Sequence, residues 1–157
     1  HFDLIICHDV IEHIMDKASF LSKLRNFLRP QGIVFMSFPA WQMPFGGHQQ
    51  ICRSKFLSHL PWFHLLPKCI YGSILRAFGE NPGITAELLE IKQTRCPIEL
   101  FEKLAKKYFA IRNRILYFIN PHYETKFNLR PRFLWSAVGK MRYVRNFFTT
   151  SCFYILE

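Results

Sequence analysis

Apolar positions along the first forty residues form two short runs with a helical pattern between them. Residues 2–7 and residues 33–38 are each apolar at all but one position, which is typical of parallel strands that are covered on both faces. Between them, residues 18–28 repeat apolar side chains at helical spacing behind Asp16, a good N-cap residue. Residues 30–32, Pro-Gln-Gly, predict a tight turn that ends the helix, with the glycine in the left-handed region. The pattern therefore predicts a βαβ unit.

The rest of the chain predicts a helical insertion, a further helix and two more strands. Residues 40–95 carry several short amphipathic patterns among prolines and polar aromatic residues, so we expect a helical insertion that packs over the end of the sheet as a lid. Residues 98–108 predict an amphipathic helix behind a proline, and residues 111–119 and 146–156 are rich in β-forming residues. The predicted fold class is α/β, a doubly wound sheet with an antiparallel edge hairpin, in a single domain over residues 1–157.

Composition narrows the class of protein. Half of the 157 residues are apolar, which is too many for a disordered chain. The apolar runs are far shorter than the about twenty residues that span a bilayer, and we expect no export leader. The five cysteines stand far apart, and none forms a Cys-x-x-Cys pair. We therefore expect neither a disulfide framework nor a metal site, and a reducing cytoplasm is the predicted location.

Basic residues are concentrated in the second half of the chain. The net charge is +10, and residues 106–145 contain ten lysines and arginines against a single acid, Glu124, whereas residues 1–50 are neutral. Such a cluster suits an anionic partner, namely nucleic acid, a phosphorylated substrate or a lipid surface. Two plainer interpretations of the basic cluster stay open. It could be a solvated face, or acidic residues of a longer chain could balance its positive charge.

Two motifs resemble a known family. Residues 2–6, Phe-Asp-Leu-Ile-Ile, followed by residues 9–13, Asp-Val-Ile-Glu-His, resemble the fourth strand and the following loop of class I S-adenosylmethionine-dependent methyltransferases of the small-molecule group. Residues 28–32, Leu-Arg-Pro-Gln-Gly, are similar to the turn into the fifth strand of that family. The resemblance implies the C-terminal half of a Rossmann-like methyltransferase fold. Because no Gly-x-Gly-x-x-Gly turn is present, we expect an N-terminally truncated fragment, inactive by itself, that lacks the donor-binding half.

The resemblance also implies a cofactor and the residues that bind it. The cofactor would be S-adenosyl-L-methionine, with Cys7, His8 and Asp9 beside its methionine part and His13 directed towards the methyl group. Since an imidazole titrates near neutrality, His13 is the first candidate to take a proton from an acceptor. The alternative is that Glu12 and His13 only fix the loop by hydrogen bonds. Asp9 and Glu12 either orient a bound ammonium group or cap a helix.

The segment after the second strand is the predicted acceptor site. Residues 41–50 must emerge at the carboxyl ends of the strands, where ligands bind on open α/β sheets. Trp41 offers a stacking face, His48 and Gln49 offer hydrogen bonds, and two glycines allow close approach of the backbone. His48 is also the second candidate for proton removal. The alternative is a purely structural loop.

These features together predict methyl transfer to a small or medium acceptor, with a glycan, a lipid-linked compound and a phosphorylated metabolite all open. The loop at residues 8–11 lacks the Asn/Asp-Pro-Pro-aromatic motif of DNA-methylating enzymes, so no DNA is expected. RNA binding through the basic and aromatic residues 130–145 stays open, as does a non-catalytic interaction module. Aromatic residues between positions 56 and 78 predict the core of the insertion first, with a lid or a peripheral membrane contact as alternatives.

Overall fold

A five-stranded sheet forms the centre of the computed structural model, which describes residues 1–157. Its strands are β1 (Phe2–His8), β2 (Leu28–Phe38), β3 (Ile111–Ile119), β4 (Arg132–Phe133) and β5 (Ser151–Leu156). They lie in the order β1-β2-β5-β3-β4, with β1 and β2 parallel and every other pair of neighbours antiparallel. The predicted α/β fold class, with a parallel βαβ unit and antiparallel strands towards one edge, is confirmed.

Eight α-helices connect these strands. They are α1 (Lys17–Phe27), α2 (Lys55–Ser58), α3 (Lys68–Ala77), α4 (Pro82–Thr94), α5 (Ile98–Ala105), α6 (His122–Phe127), α7 (Ser136–Lys140) and α8 (Arg145–Phe148). Helix α1 joins β1 to β2, helices α2 to α4 lie in the predicted insertion, and α5 leads into β3. No helix has the length and apolar character needed to cross a membrane.

The junction between α1 and β2 differs from the predicted turn. Asp16 caps α1 as expected, since its carboxylate accepts a hydrogen bond from the Ser19 N–H at 2.9 Å. β2 then begins directly after the helix, so residues 30–32 are strand and the predicted turn is wrong. The register of β1 against β2 shifts at this point, which takes up the additional residues. Gly32 is not left-handed. A Cβ there would lie 2.8 Å from the Phe2 carbonyl oxygen, so close backbone packing explains the glycine.

One face of the sheet carries the main core. Helices α1 and α5 pack against each other and contribute to the same cluster of buried side chains. Phe38, Phe101 and Tyr154 lie at its centre, with ring centroids 4.7 to 5.9 Å apart. Full burial of large apolar side chains stabilises a fold by about 1.5–3 kcal/mol each. These contacts therefore fix β2, β5 and α5 relative to one another.

The edge at β1 and the second face of the sheet are more open than predicted. β1 is the outer strand, and the side chains of Phe2, Leu4 and Ile6 are all exposed. On β2 and β5, Phe35 and Phe153 alternate with core residues and pack edge to face on the other side of the sheet. The prediction that the first strand is covered on both faces is therefore wrong for these 157 residues, because α1 and α5 cover only one face.

The segment between β2 and α5 has a small core of its own. Its six buried members are Cys52, Leu57, Phe63, Tyr71, Leu75 and Leu88. Glu80 ties the segment together, because its carboxylate accepts hydrogen bonds from the N–H groups of Arg53 and Ser54 at 3.0 and 2.9 Å. Phe56 and Phe78 stay exposed and stack on each other. The aromatic stretch thus supplies core packing, while a lid or membrane role for the exposed pair stays a prediction.

Residues 146–150 are not strand, contrary to prediction. The chain forms the short helix α8 there, and β5 begins only after it. This turn presents Arg145 to α5, where its guanidinium donates to Glu99 at 3.1 Å and to Glu102 at 3.0 Å. Asn146 also donates to Glu99, at 2.6 Å. Burial would raise the pKa of both carboxyls. Hydrogen bonds to Glu99 from the Tyr143 N–H and Asn146, and to Glu102 from Arg114, together with the Arg145 charge, hold both pKa values below their usual range.

Candidate functional site

The candidate site lies at the carboxyl ends of β1 and β2. The chain leaves β1 through Asp9, which is left-handed with a φ of 51°. Its N–H donates to the Ser37 carbonyl at 2.9 Å, which continues the contact between the two strands. Residues Ile11–His13 then form a single 3₁₀ turn. The Ile11 side chain is fully buried in the main core, so the two residues that follow it are held at the end of the sheet.

The three predicted cofactor residues share one strand end but differ in accessibility. The Nδ1 atom of His8 contacts the Ser37 hydroxyl, and its Nε2 lies 3.4 Å from the Asp9 carboxylate. The His8 and Asp9 side chains are about half exposed. Cys7 is buried, and desolvation raises the pKa of its thiol. His8 and Asp9 are therefore the accessible members, and contact of all three with a cofactor stays a prediction.

Glu12 is buried without a hydrogen-bond partner. Its side chain is 7% exposed, and neither carboxylate oxygen has a donor. Burial, with a smaller contribution from the Asp9 charge, raises the pKa of Glu12 to about 7. The buried ammonium group of Lys17 lies in the same region, but it donates to the carbonyls of Ile14, at 2.6 Å, and Thr94. Glu12 therefore keeps unused acceptor capacity, which is rare for a buried polar group.

Tight packing around two glycines fixes the position of His48. A Cβ on Gly46 would lie 2.3 Å from the Trp41 carbonyl oxygen, and one on Gly47 would lie 2.1 Å from the Cβ of His64. The His64 ring donates from Nε2 to the Trp41 carbonyl at 2.7 Å and packs edge-on against the Trp41 ring. His48 follows in a left-handed conformation with a φ of 56°. The close approach predicted for these glycines is thus made to the protein's own Trp41 and His64.

The two predicted catalytic histidines meet beside Glu12. The rings of His13 and His48 pack edge to face with centroids 5.1 Å apart, and Nε2 of His13 lies 4.0 Å from Oε1 of Glu12. One nitrogen or oxygen atom from each of the three side chains lies within 4.8 Å of the other two. Burial, followed by the neighbouring His13, lowers the pKa of His48, so its imidazole is neutral near pH 7.

The other two predicted acceptor residues are buried. The Trp41 ring lies beneath the loop and is covered by His64, so the stacking face expected of it is not open. Gln49 is fully buried, and its amide donates to two backbone carbonyls at 3.1 and 3.2 Å. Both residues shape the loop that carries His48, and direct contact with an acceptor stays a prediction for them.

Several residues near the site were not found by sequence reasoning. The contact of Glu12 with both histidines was not predicted either, although the three residues were named. The signal for it was that each segment directly follows a parallel strand. Glu87 of α4 lies close enough to act on the pKa of His48, after the larger effect of burial. Burial and then the Asp9 charge raise the pKa of Tyr123 in α6. No sequence signal connects these last two residues with the strand ends.

The basic stretch is only partly neutralised. Arg112, Arg114 and Arg145 form ion pairs with carboxylates, which leaves seven of the ten lysines and arginines in residues 106–145 without one. Six hydrophobic side chains and Arg132 line an adjoining pocket of about 380 Å³. The most exposed aromatic side chain beside it is Trp135, at 81%. We call residues 130–148 the basic-aromatic surface.

Comparison with known proteins gives two findings. A family model described as "Methyltransferase domain" matches residues 1–36. A ubiquinone biosynthesis O-methyltransferase from Histophilus somni (strain 2336) is 33% identical over 57 residues, which are 33% of this chain and 24% of that protein. The match therefore spans about a quarter of the relative's length. The family-model match covers the β1–α1–β2 unit, and both findings support the resemblance to class I methyltransferases.

Proposed function

We propose that this chain, whose residues 1–36 match a methyltransferase-domain family model, takes part in the transfer of a methyl group from S-adenosyl-L-methionine to a small-molecule acceptor. The observation that carries the proposal is the meeting of Asp9, Glu12, His13 and His48 at the strand ends, where open α/β sheets bind their ligands. Because the match spans 24% of the relative, the activity is proposed for the complete protein that contains this chain.

The end of β1 suits a cationic cofactor. S-adenosyl-L-methionine supplies a methyl group on a positively charged sulfur, which is open to attack by a nucleophile. Cys7, His8 and Asp9 would lie along its methionine part, with the half-exposed Asp9 carboxylate paired to the ammonium group. The second carboxyl group at this end of the sheet, Glu12, adds to the local preference for a cation when it is ionised.

Proton removal from the acceptor is assigned to the histidines. His13 is 43% exposed and His48 is neutral near pH 7, so either imidazole can accept a proton. S-adenosyl-L-methionine would supply the methyl group to the acceptor oxygen and leave as the neutral thioether, and the imidazole of His13 or His48 would take the proton that the acceptor loses. Most of the rate enhancement would come from holding the two reactants in line.

The acceptor is proposed to be a small molecule that presents an oxygen. The relative is named as an O-methyltransferase of ubiquinone biosynthesis. Residues 40–95 have their own core and carry His48, so we propose that they form a lid over the acceptor, shaped by Trp41 and Gln49. More specifically, we propose that the acceptor is carried on a lipid or a glycan. The exposed aromatic pair Phe56 and Phe78 supports this.

Calorimetric titration of S-adenosylhomocysteine tests the cofactor assignment. The titration is made into the 157-residue chain and into the complete gene product that contains it. We expect binding to the complete protein, weakened about tenfold or more by Asp9→Asn, since about 1.4 kcal/mol for one charge-assisted contact is a factor of ten. His59→Gln, at an exposed site elsewhere, should leave the affinity unchanged. Lack of binding to both proteins would overturn the assignment.

Methyl transfer itself is the second measurement. Tritium transfer from labelled S-adenosyl-L-methionine to a panel of small phenols and alcohols is followed for the complete protein. We expect His13→Ala and His48→Ala to lower the rate by about 100-fold or more, the usual contribution of a general base. Rates equal to that of the wild type in both variants would contradict the assigned proton acceptors.

A second proposal is that the basic-aromatic surface contacts anionic lipid. This surface carries four basic residues without an ion pair, Arg130, Arg132, Lys140 and Arg142. Arg132 and the exposed Trp135 line its apolar pocket. Each Lys or Arg near an anionic membrane contributes about 1 kcal/mol, and Trp prefers the interface between headgroups and acyl chains. The apolar pocket favours a lipid surface, whose acyl chains can enter it, over RNA.

Vesicle sedimentation tests this second proposal. We expect binding to vesicles of phosphatidylglycerol and phosphatidylcholine, little binding to phosphatidylcholine alone, and a clear loss in Trp135→Ser. Trp62→Ser is the matched control, because Trp62 is an exposed tryptophan of the insertion. Equal sedimentation of both variants, or salt-sensitive binding to RNA in place of vesicles, would overturn the lipid assignment.

A further inference from the structure

The cluster of Glu12, His13 and His48 has the composition of a metal site. Each side chain offers one ligand atom, and the three atoms lie within 4.8 Å of one another. Two imidazoles and one carboxylate are the protein ligands of many catalytic zinc sites and of non-haem iron sites, which keep positions open for a further ligand. Two imidazoles argue against Mg²⁺ and Ca²⁺, since both prefer oxygen ligands. The set fits a divalent first-row transition metal.

The state of Glu12 points independently to a ligand. Its side chain is 7% exposed, and both carboxylate oxygens lack a hydrogen-bond donor. The nearby Lys17 ammonium is already used, because it donates to the Ile14 and Thr94 carbonyls. A buried carboxylate without a partner is costly, and such groups are paired or coordinate metals in native proteins. A cation between Glu12 and the two imidazoles would satisfy it.

We propose that Glu12, His13 and His48 together bind one divalent transition-metal ion, with zinc the first ion to test. Zinc ligands lie about 2.0–2.2 Å from the ion, so ligand atoms of a tetrahedral site lie about 3.4 Å apart. Because the three ligand atoms lie within 4.8 Å of one another, the contraction needed is at most about 1.4 Å. His13, whose Nε2 lies 4.0 Å from Oε1 of Glu12, can supply its share of this approach, because its side chain is 43% exposed on a single 3₁₀ turn. Glu12 is buried and the loop of His48 is tightly packed, so both are preorganised.

A metal ion at this place has a role that rests on the proposed function. Three protein ligands leave a position for an acceptor oxygen, and coordination to zinc lowers the pKa of a bound hydroxyl. The acceptor then loses its proton to solvent more readily and is held for attack on the methyl carbon. In this state His13 and His48 act as ligands and no longer as proton acceptors. Activity that chelators abolish and zinc restores would distinguish this role from that of a general base.

Metal binding is measured directly, without reference to activity. Zinc is titrated calorimetrically into metal-stripped complete protein and into the 157-residue chain, and cobalt binding is followed by its visible absorption. We expect one ion per chain. Glu12→Gln, His13→Ala and His48→Ala should each weaken zinc binding by about 100-fold or more, because loss of a mere supporting contact already costs about 10–100-fold. His59→Ala and Cys69→Ser remove an exposed histidine and the exposed cysteine outside the cluster, and should bind as the wild type does.

The outcomes separate the metal site from the proposed function. No zinc binding, binding that survives the three ligand variants, or a cobalt spectrum with a thiolate charge-transfer band would overturn the site. Titration of S-adenosylhomocysteine into the same protein reports on cofactor binding alone, so either proposal can fail without the other. Circular dichroism without zinc identifies any variant that does not fold. Should Glu12→Gln unfold, His13→Ala carries the test, because its side chain is the most exposed of the three.

Discussion

His64 gives the fold a specific dependence of stability on pH. Its side chain is fully buried, Nε2 donates to the Trp41 carbonyl at 2.7 Å, and Nδ1 has no partner. Burial, helped by the positive charge of Lys92, lowers the pKa of His64 from 6.5 to about 4. The folded protein therefore contains a neutral imidazole at a pH where the same group in the unfolded chain is already protonated.

The sign and the magnitude follow from proton linkage. Above pH 6.5 the His64 imidazole is neutral in both states and contributes no pH dependence. Between pH 6.5 and pH 4 the unfolded chain binds a proton that the folded protein does not bind, so stability falls as the pH falls. The two pKa values differ by about 2.5, and each difference of one corresponds to about 1.36 kcal/mol, so the full loss is about 3 kcal/mol. That is a large part of the about 5–15 kcal/mol typical of a domain.

Urea unfolding followed by tryptophan fluorescence checks this prediction from about pH 7.5 to pH 4. The variant is His64→Gln, whose side-chain amide can still donate to the Trp41 carbonyl. Relative to the wild type, its free energy of unfolding should rise by about 3 kcal/mol between pH 7 and pH 4. The exposed His59, changed to Gln, is the control and should give a flat difference. A flat difference for His64→Gln as well would refute the assignment of a buried neutral imidazole.

Three further changes test the packing around the site. Gly47→Ala should lower the thermal unfolding midpoint, because its Cβ would lie 2.1 Å from the Cβ of His64. Gly139→Ala is the control and should leave the midpoint unchanged, because no atom lies within 4 Å of its Cβ. Equal shifts in the two variants would contradict this. Arg145→Met should cost about 3–5 kcal/mol in urea unfolding, because it leaves the largely buried Glu99 carboxylate without its cation while Glu102 keeps Arg114, and an unchanged midpoint would argue against it. Ile6→Lys should reduce concentration-dependent association in light scattering, because an exposed apolar edge strand pairs readily with other chains; equal masses would count against that.

Local signals explain which parts of the fold could be predicted. The apolar run of β1 and the Asp16 cap of α1 act over a few residues, and both elements lie within one residue of their predicted bounds. The turn at residues 30–32 was wrong because proline and glycine also fit a strand whose register shifts. That shift is set by β1, which lies more than twenty residues away in sequence.

Long-range contacts explain the error near the C-terminal end. Residues 146–150 have β-forming side chains, and their pattern continues into β5 without a break. The helical turn of α8 forms because Arg145 and Asn146 hydrogen-bond to Glu99 of α5. The sequence pattern does not predict the contact between α8 and α5, because the residues that form it are more than forty positions apart. Buried polar networks override intrinsic preference where the alternative is an unpaired charge.

The candidate site shows the same division between local and long-range causes. Because parallel strands end at the same edge of a sheet, the sequence was enough to place His13 and His48 at one site. It was not enough to predict that Glu12 is buried while His13 is exposed. Glu12 points inward and His13 outward because Ile11 anchors the turn in the core. Two of the five non-glycine residues with positive φ lie here, His48 within the cluster and Asp9 three residues before Glu12. Such conformations cost free energy and persist where the surroundings impose them, most often at functional sites. Their placement here, beside a buried carboxylate without a donor, is the strongest structural reason to look for chemistry at these strand ends.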